Sequence, residues 1–252
     1  MANLKSKQKE ITAQIKKNLI TACRILSGEG LVQGFGHMSA RIPNSELYLL
    51  TPRVSLALVK EKELLVLNLK GSIVEGNTPP PFEAPLHTAI FNGRAEVQAI
   101  ARIHGRRANI FSVTDRKIEP VHNHGSFFSG GVPVFAKTDL ISTERLGEEV
   151  VAALEKRPAI LLRGNGQVTV GRTIPEAVMM AIYLEEAAEI LYGALQIGTP
   201  VPLSREESAL RKEETLPPVD LERAWNFFKN RLEKSYLSKG EKSFPPIASP
   251  RD

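Results

Sequence analysis

The alternation of two hydrophobic periods along the chain predicts an α/β fold. Residues 8–26 and 174–197 repeat apolar side chains at three- and four-residue steps, the spacing of a helix that buries one face. Between them, the apolar runs at 97–103 and 158–163 have strand length and no such spacing. A chain of 252 residues, 42% hydrophobic and 24% charged, holds enough apolar side chains for one large core.

The first helix is set by Ile11, Ile15, Leu19, Ala22, Cys23 and Leu26, and Gly28, Gly30 and Gly34 end it. Residues 37–50, with the run Leu47 to Leu50, and residues 63–69 read as strands separated by turns. Three consecutive prolines, Pro79 to Pro81, forbid helix there, so Glu83 opens a new helix running to about residue 92. The strand at 97–103 leads into His104-Gly105-Arg106-Arg107 and a further helix to about residue 113. That order places polar residues at the strand's C-terminal edge. A helix at 144–156 precedes the strand at 158–163, a Gly164-Asn165-Gly166 turn and a strand at 167–170. Thr173 and Pro175 open the helix at 174–197, and Gly198 and Pro200 close it. Past residue 202 the composition turns to charge. One helix is expected at 220–234, bearing Trp225, Phe227 and Phe228, and the tail after it has no core to join. The expected division is therefore a domain over 1–202 and an extension over 203–252.

Composition removes several classes of function. Cys23 is the single cysteine, so no internal disulfide can form, and its helical setting reads as core. No segment approaches the roughly 20 apolar residues that span a bilayer, and the charged N-terminus carries no apolar signal region. The expectation is a cytoplasmic protein that does not engage membranes. The formal charge of +5 is spread among 28 acidic residues rather than gathered in a stripe, which argues against nucleic acid as a partner.

Four segments in order carry the candidate chemistry: G-F-G-H-M-S-A-R at 34–41, E-A-P-L-H at 83–87, I-H-G-R at 103–106 and R-G-N-G-Q-V-T-V-G at 163–171. Together with the first helix and L-E-E-A-A-E-I at 184–190, they resemble the class II aldolase/adducin family over roughly residues 8–200. That resemblance implies a three-layer α/β/α fold with a central, mainly antiparallel sheet, and a homotetramer with pockets between subunits. It also implies an anion loop at His37, Ser39 and Arg41, and a divalent metal held by three histidines. Here only His104 remains of those three, because Arg106 and Asn165 stand at the other two positions. Guanidinium repels a cation and carboxamide is a poor substitute for imidazole. A metal-free pocket is therefore expected. Manganese or zinc on His104 and a rearranged set including Glu83 and one of His87, His122 or His124 is the alternative. His37 replaces the asparagine of the phosphate-binding aldolases, and E-P-V-H-N-H-G-S-F-F-S-G-G-V-P-V at 119–134 is similar to the branch of decarboxylases acting on hydroxylated aromatic and pyridine carboxylates. Arg223-Ala224-Trp225 is similar to that branch as well.

The function this implies is carbon–carbon bond cleavage, decarboxylation or retro-aldol, of a small hydroxylated acid. Glu83 would move the proton and Arg106 would hold the substrate carboxylate with its bidentate fork. His104 and His37 would hydrogen-bond the oxygen that gains charge. Asn165, His122 and His124 complete the substrate-binding set. Each has a plainer reading: a helix-start carboxylate, a surface arginine, a strand-end histidine, and a turn residue between two glycines. Two other functions remain open, an adducin-like assembly module without catalysis and a non-haem iron oxygenase. The first needs no clustered pocket, and the second needs two histidines and a carboxylate on one face.

Overall fold

A computed structural model describes the backbone of residues 2–215 and 218–237 and the side chains of 6–213 and 220–232. It contains helices α1 (Ala2–Gly28), α2 (Ala84–Gly93), α3 (Arg106–Ser112), α4 (Glu144–Leu154), α5 (Ile174–Ile197), α6 (Arg205–Thr215) and α7 (Pro218–Leu237). Its strands are β1 (His37–Arg41), β2 (Leu47–Leu50), β3 (Leu65–Asn68), β4 (Ile73–Glu75), β5 (Ala99–Ile103), β6 (Val134–Phe135), β7 (Ala159–Leu162) and β8 (Gln167–Gly171). They form one sheet in the order β4-β3-β2-β1-β5-β8-β7-β6, antiparallel at every pairing except β6 with β7.

Strand alternation divides the core between the two faces of this sheet. Met38 and Ala40 of β1 and Ala99, Ala101 and Ile103 of β5 pack under α1 and α5. The opposite face, with Ile100, Val168 and Val170, packs against Leu86 and Ile90 of α2 and Leu146 and Val150 of α4. Helix α3 joins α5 through Ala108 and Phe111. The result is the expected three-layer arrangement, with Cys23 buried in the α1 layer. Helix α7 returns over α1 and α5, and Trp225 turns inward at 7% exposure, so its ring is spent on this chain's own core.

Three elements go beyond the sequence reading. Strands β4 and β6 have three and two residues, and β4 is exposed along its length, so neither shows a burial pattern. Helix α6 is rich in charge, with buried Ser208 at the end of its first turn. The stretch from residue 238 onward, read as a tail with no core to join, lies outside the described residues. Among the described residues, no helix is long and apolar enough to cross a membrane.

Candidate active site

The site lies where β1 and β5 pair in the middle of the sheet. Their register sets His37 opposite Arg102, so both side chains leave the same face, towards α2. Glu83 stands at the N-cap of α2 but makes no capping bond. Its side chain instead turns under the helix and is 5% exposed. Glu83 Oε2 lies 3.3 Å from His37 Nε2 and 3.1 Å from Arg102 Nε, while the Ile141 amide approaches Oε1 at 3.5 Å. The arginine contact is an ion pair whose Nε–H is not aimed squarely at the carboxylate. Arg102 Nη1 donates to the Ile103 carbonyl at 2.9 Å and faces His104 Nε2 at 3.2 Å.

Behind His37 the chain of contacts continues inward. His37 Nδ1 meets His87 Nε2 at 2.6 Å, and His87 Nδ1 meets Ser39 Oγ at 2.6 Å. Donor and acceptor roles follow from the ends. The carboxylate can only accept, so His37 Nε2 carries a proton. His37 in its neutral form then accepts at Nδ1 from His87 Nε2–H, and His87 Nδ1 accepts from the Ser39 hydroxyl. At the other end a guanidinium only donates, so His104 Nε2 accepts and its proton sits on Nδ1.

Burial keeps all three imidazoles neutral. It lowers His37, lowers His87 well below the usual histidine range, and lowers His104 to about 4, where the Arg102 charge adds to the effect. Burial alone would raise Glu83, but the His37 hydrogen bond and the Arg102 charge outweigh it and hold the carboxyl at about 2. Glu83 is therefore ionised across the physiological range.

These groups back a cavity of about 450 Å³ lined by His37, Glu83, Arg102, His104, Asn165 and Arg53. Phe35 and Phe82 stand at its mouth, 81% and 63% exposed, and Arg53 lies over the Phe82 ring at 4.4 Å. Gly166 makes the approach of the 164–166 turn possible. Its φ is +79°, and a Cβ there would strike the Ile103 carbonyl and crowd Arg102 Nη1 and His104 Nδ1. The larger groove between α2 and α4, about 720 Å³, is bordered by Glu144 and Glu148 and holds none of these histidines or arginines.

Of the residues singled out from sequence, Glu83, His104, His37 and Asn165 meet at the cavity and Ser39 supports it from behind. The other four do not join them. Arg106 is exposed at the first position of α3 and is absent from the cavity wall, because the chain turns outward where that helix begins. Arg41 bonds the carbonyls of Val97 and Phe91 and stacks on the Phe91 ring, tying the end of α2 to the sheet. His122 and His124 lie beside Glu186 of α5 instead. Sequence reasoning missed Arg102 and Arg53. For Arg102 the signal was a lone charge inside the apolar run at 97–103.

The segment spanning residues 17–192 matches the Class II Aldolase and Adducin N-terminal domain. The chain belongs to the class II aldolase and adducin family. It is 31% identical over 193 residues to a 3,4-dihydroxyphthalate decarboxylase of Terrabacter sp. (strain DBF63), covering 70% of this chain and 78% of the relative. An L-fuculose phosphate aldolase of Methanococcus maripaludis (strain C5 / ATCC BAA-1333) is 30% identical over 182 residues, covering 72% and 97%. The fold superposes on that of L-fuculose 1-phosphate aldolase from Glaciozyma antarctica PI12 with a TM-score of 0.78 at 24% identity, over 91% and 92% of the two chains. Both curated relatives are lyases, and lyase activity is the class of chemistry this family membership supports.

Class II aldolases typically use a divalent metal. In this chain the residues around Glu83 and His104 do not fit one. The Arg102 guanidinium already stands between them, engaging the carboxylate and facing the imidazole nitrogen that would otherwise bind a cation.

Proposed function

We propose that the chain is a decarboxylase of a small hydroxylated aromatic acid, in which a fixed guanidinium supplies the positive charge that a metal supplies elsewhere in the family. The observation behind this reading is the seat of Arg102, a buried cation between Glu83 and His104 at the back of a cavity whose outer wall carries Phe35, Val54, Phe82 and Leu140. The likeness to 3,4-dihydroxyphthalate decarboxylases and the two phenylalanines at the mouth support an aromatic substrate.

In this mechanism Phe35 and Phe82 flank the ring and Arg53, at the mouth, holds a carboxylate of the substrate. The hydroxyl points inward. Glu83 takes the hydroxyl proton and passes it to the ring carbon that bears the departing carboxylate, giving a keto tautomer. The bond to that carboxylate then breaks, carbon dioxide leaves, and the electron pair restores the aromatic ring with negative charge on the oxygen. Arg102 and the Nδ1–H of His104 stabilise that oxyanion until a solvent proton neutralises it. A carboxyl held at about 2 lies well below the near-neutral value that favours proton abstraction, so the hydroxyl gives up its proton only with the Arg102 charge stabilising the oxygen it leaves, and the protonated carboxyl yields that proton readily to carbon. His37, held by His87 and Ser39, keeps the carboxylate oriented. An adducin-like scaffold gives no reason for this network.

The deciding experiment screens hydroxylated aromatic acids for released carbon dioxide, with retro-aldol substrates tested in parallel for carbonyl release. On the substrate so found, Glu83→Gln, which keeps the shape and removes the proton carrier, is expected to lower kcat at least about 100-fold. Full activity in that variant would defeat the assignment. Arg53→Ala is expected to raise KM about tenfold with little change in kcat, as for one solvent-exposed charge-assisted hydrogen bond, and lysine should restore part of it. An unchanged KM would move the carboxylate anchor elsewhere.

A further inference from the structure

Outside this cavity, the helical turn at His124–Phe128 and helix α5 bring together the only group of three candidate metal donors among the described residues. His124 Nδ1 lies 2.9 Å from Glu186 Oε2 and His122 Nε2 lies 3.9 Å from Glu186 Oε1, with one donor atom of each residue within 4.8 Å of the others. Neither ring nitrogen of His122 has a hydrogen-bond partner, although both are buried, which is costly for an imidazole without a ligand. The ring of His124 is held in place: Tyr183 stacks on it at 4.1 Å, and Phe127 stacks on Tyr183 at 5.8 Å.

We propose that His122, His124 and Glu186 form a binding site for a divalent transition-metal ion, separate from the Glu83 cavity and carrying an open coordination position. Two imidazoles and one carboxylate are the donors that zinc and its neighbours accept. Bonds of about 2.0–2.2 Å require donors roughly 3.3 Å apart, so closing the set moves these side chains by about an ångström. The side chain of Glu186 is 40% exposed, which leaves it room to close on the rings, and His124 at 37% leaves the fourth position to water. Coordination gives His122 the partner it lacks. It also pins the turn that follows Pro120 to α5, about 60 residues further along the chain. This site is independent of the chemistry proposed at Glu83, and its test reads binding rather than turnover.

The full-length protein, stripped with chelator and dialysed, is titrated with cobalt(II) followed by its visible absorption and with zinc(II) followed by calorimetry. One equivalent per chain is expected, with the absorption of a nitrogen- and oxygen-ligated ion. Glu186→Gln and His124→Ala should each weaken binding by more than about 100-fold, exceeding the loss typical of an outer-shell partner. His104→Ala should leave the affinity unchanged. Folding of each variant is checked by circular dichroism, and the isosteric Glu186→Gln decides if the alanine variant is unfolded. No binding at about 100 μM metal overturns the proposal. So does binding that survives in Glu186→Gln, or binding that disappears in His104→Ala.

Discussion

Replacing Arg102 with methionine is expected to cost the protein about 3–5 kcal/mol of stability at neutral pH and to abolish turnover of any substrate the cavity takes. The guanidinium is 1% exposed and faces a carboxylate that is 5% exposed, so the pair belongs to the interior. Methionine matches the aliphatic stem but leaves Glu83 charged with only His37 and the Ile141 amide beside it. The carboxyl then has two responses, to remain ionised without compensation or to take up a proton. Burial, which Arg102 now offsets, would drive it toward the second, and its pKa would rise well above about 2. Urea unfolding at pH 7.5 measures the loss. The double variant Arg102→Met with Glu83→Gln should regain much of it, because it removes both charges together. Arg102→Lys should fall between, since an ammonium cannot face Glu83, the Ile103 carbonyl and His104 from one plane. A methionine variant as stable as the parent would mean that the pair contributes nothing, and the idea of a resident cation would fall with it.

The contrast between Arg102 and Arg106 shows how far sequence could go. Local pattern placed the helix at 174–197 to the residue, because a buried helix repeats its apolar positions over six turns and carries Thr173 at its N-cap. It placed the strand at 97–103 too, and the arginine within that strand was in view. What local pattern could not supply was the pairing of β5 with β1, which sets Arg102 opposite His37 and aims both at a glutamate on a third element. Arg106 stands out in the sequence only through the resemblance to the family motif. Its surroundings depend on where α3 begins, and helix ends are the least legible feature of a sequence. The same limit hid the relation between His124 and Glu186. They lie 62 residues apart, and only the packing of one helical turn on α5 makes them neighbours.

Acidification should lower the stability of the protein in two stages, the first of them well above the carboxylate range. His37, His87 and His104 all titrate below the ordinary histidine value of 6.5 in the folded chain, and burial is the main cause in each. In the unfolded chain they return to that value. Below about 6.5 the unfolded state therefore binds protons that the folded state refuses, and stability falls as pH falls. One such group changes the unfolding free energy by at most about 1.4 kcal/mol per pH unit, so three set a ceiling of about 4 kcal/mol per pH unit. A steady fall in stability between pH 7 and 5, below that ceiling, is expected. The second stage belongs to Glu83, whose folded value of about 2 lies below its unfolded 4.5. The stability from its ionised form is complete above pH 4.5 and disappears as pH falls toward 2. The stages separate by mutation. His87→Phe removes a neutral ring wedged between His37 and Ser39 and should flatten the slope between pH 7 and 5, while leaving the loss below pH 4.5 in place. Urea midpoints for both proteins at pH 7.5, 6, 5 and 4 measure this, and a parent whose stability is constant from pH 7 to 5 would show that these imidazoles are not held neutral by burial.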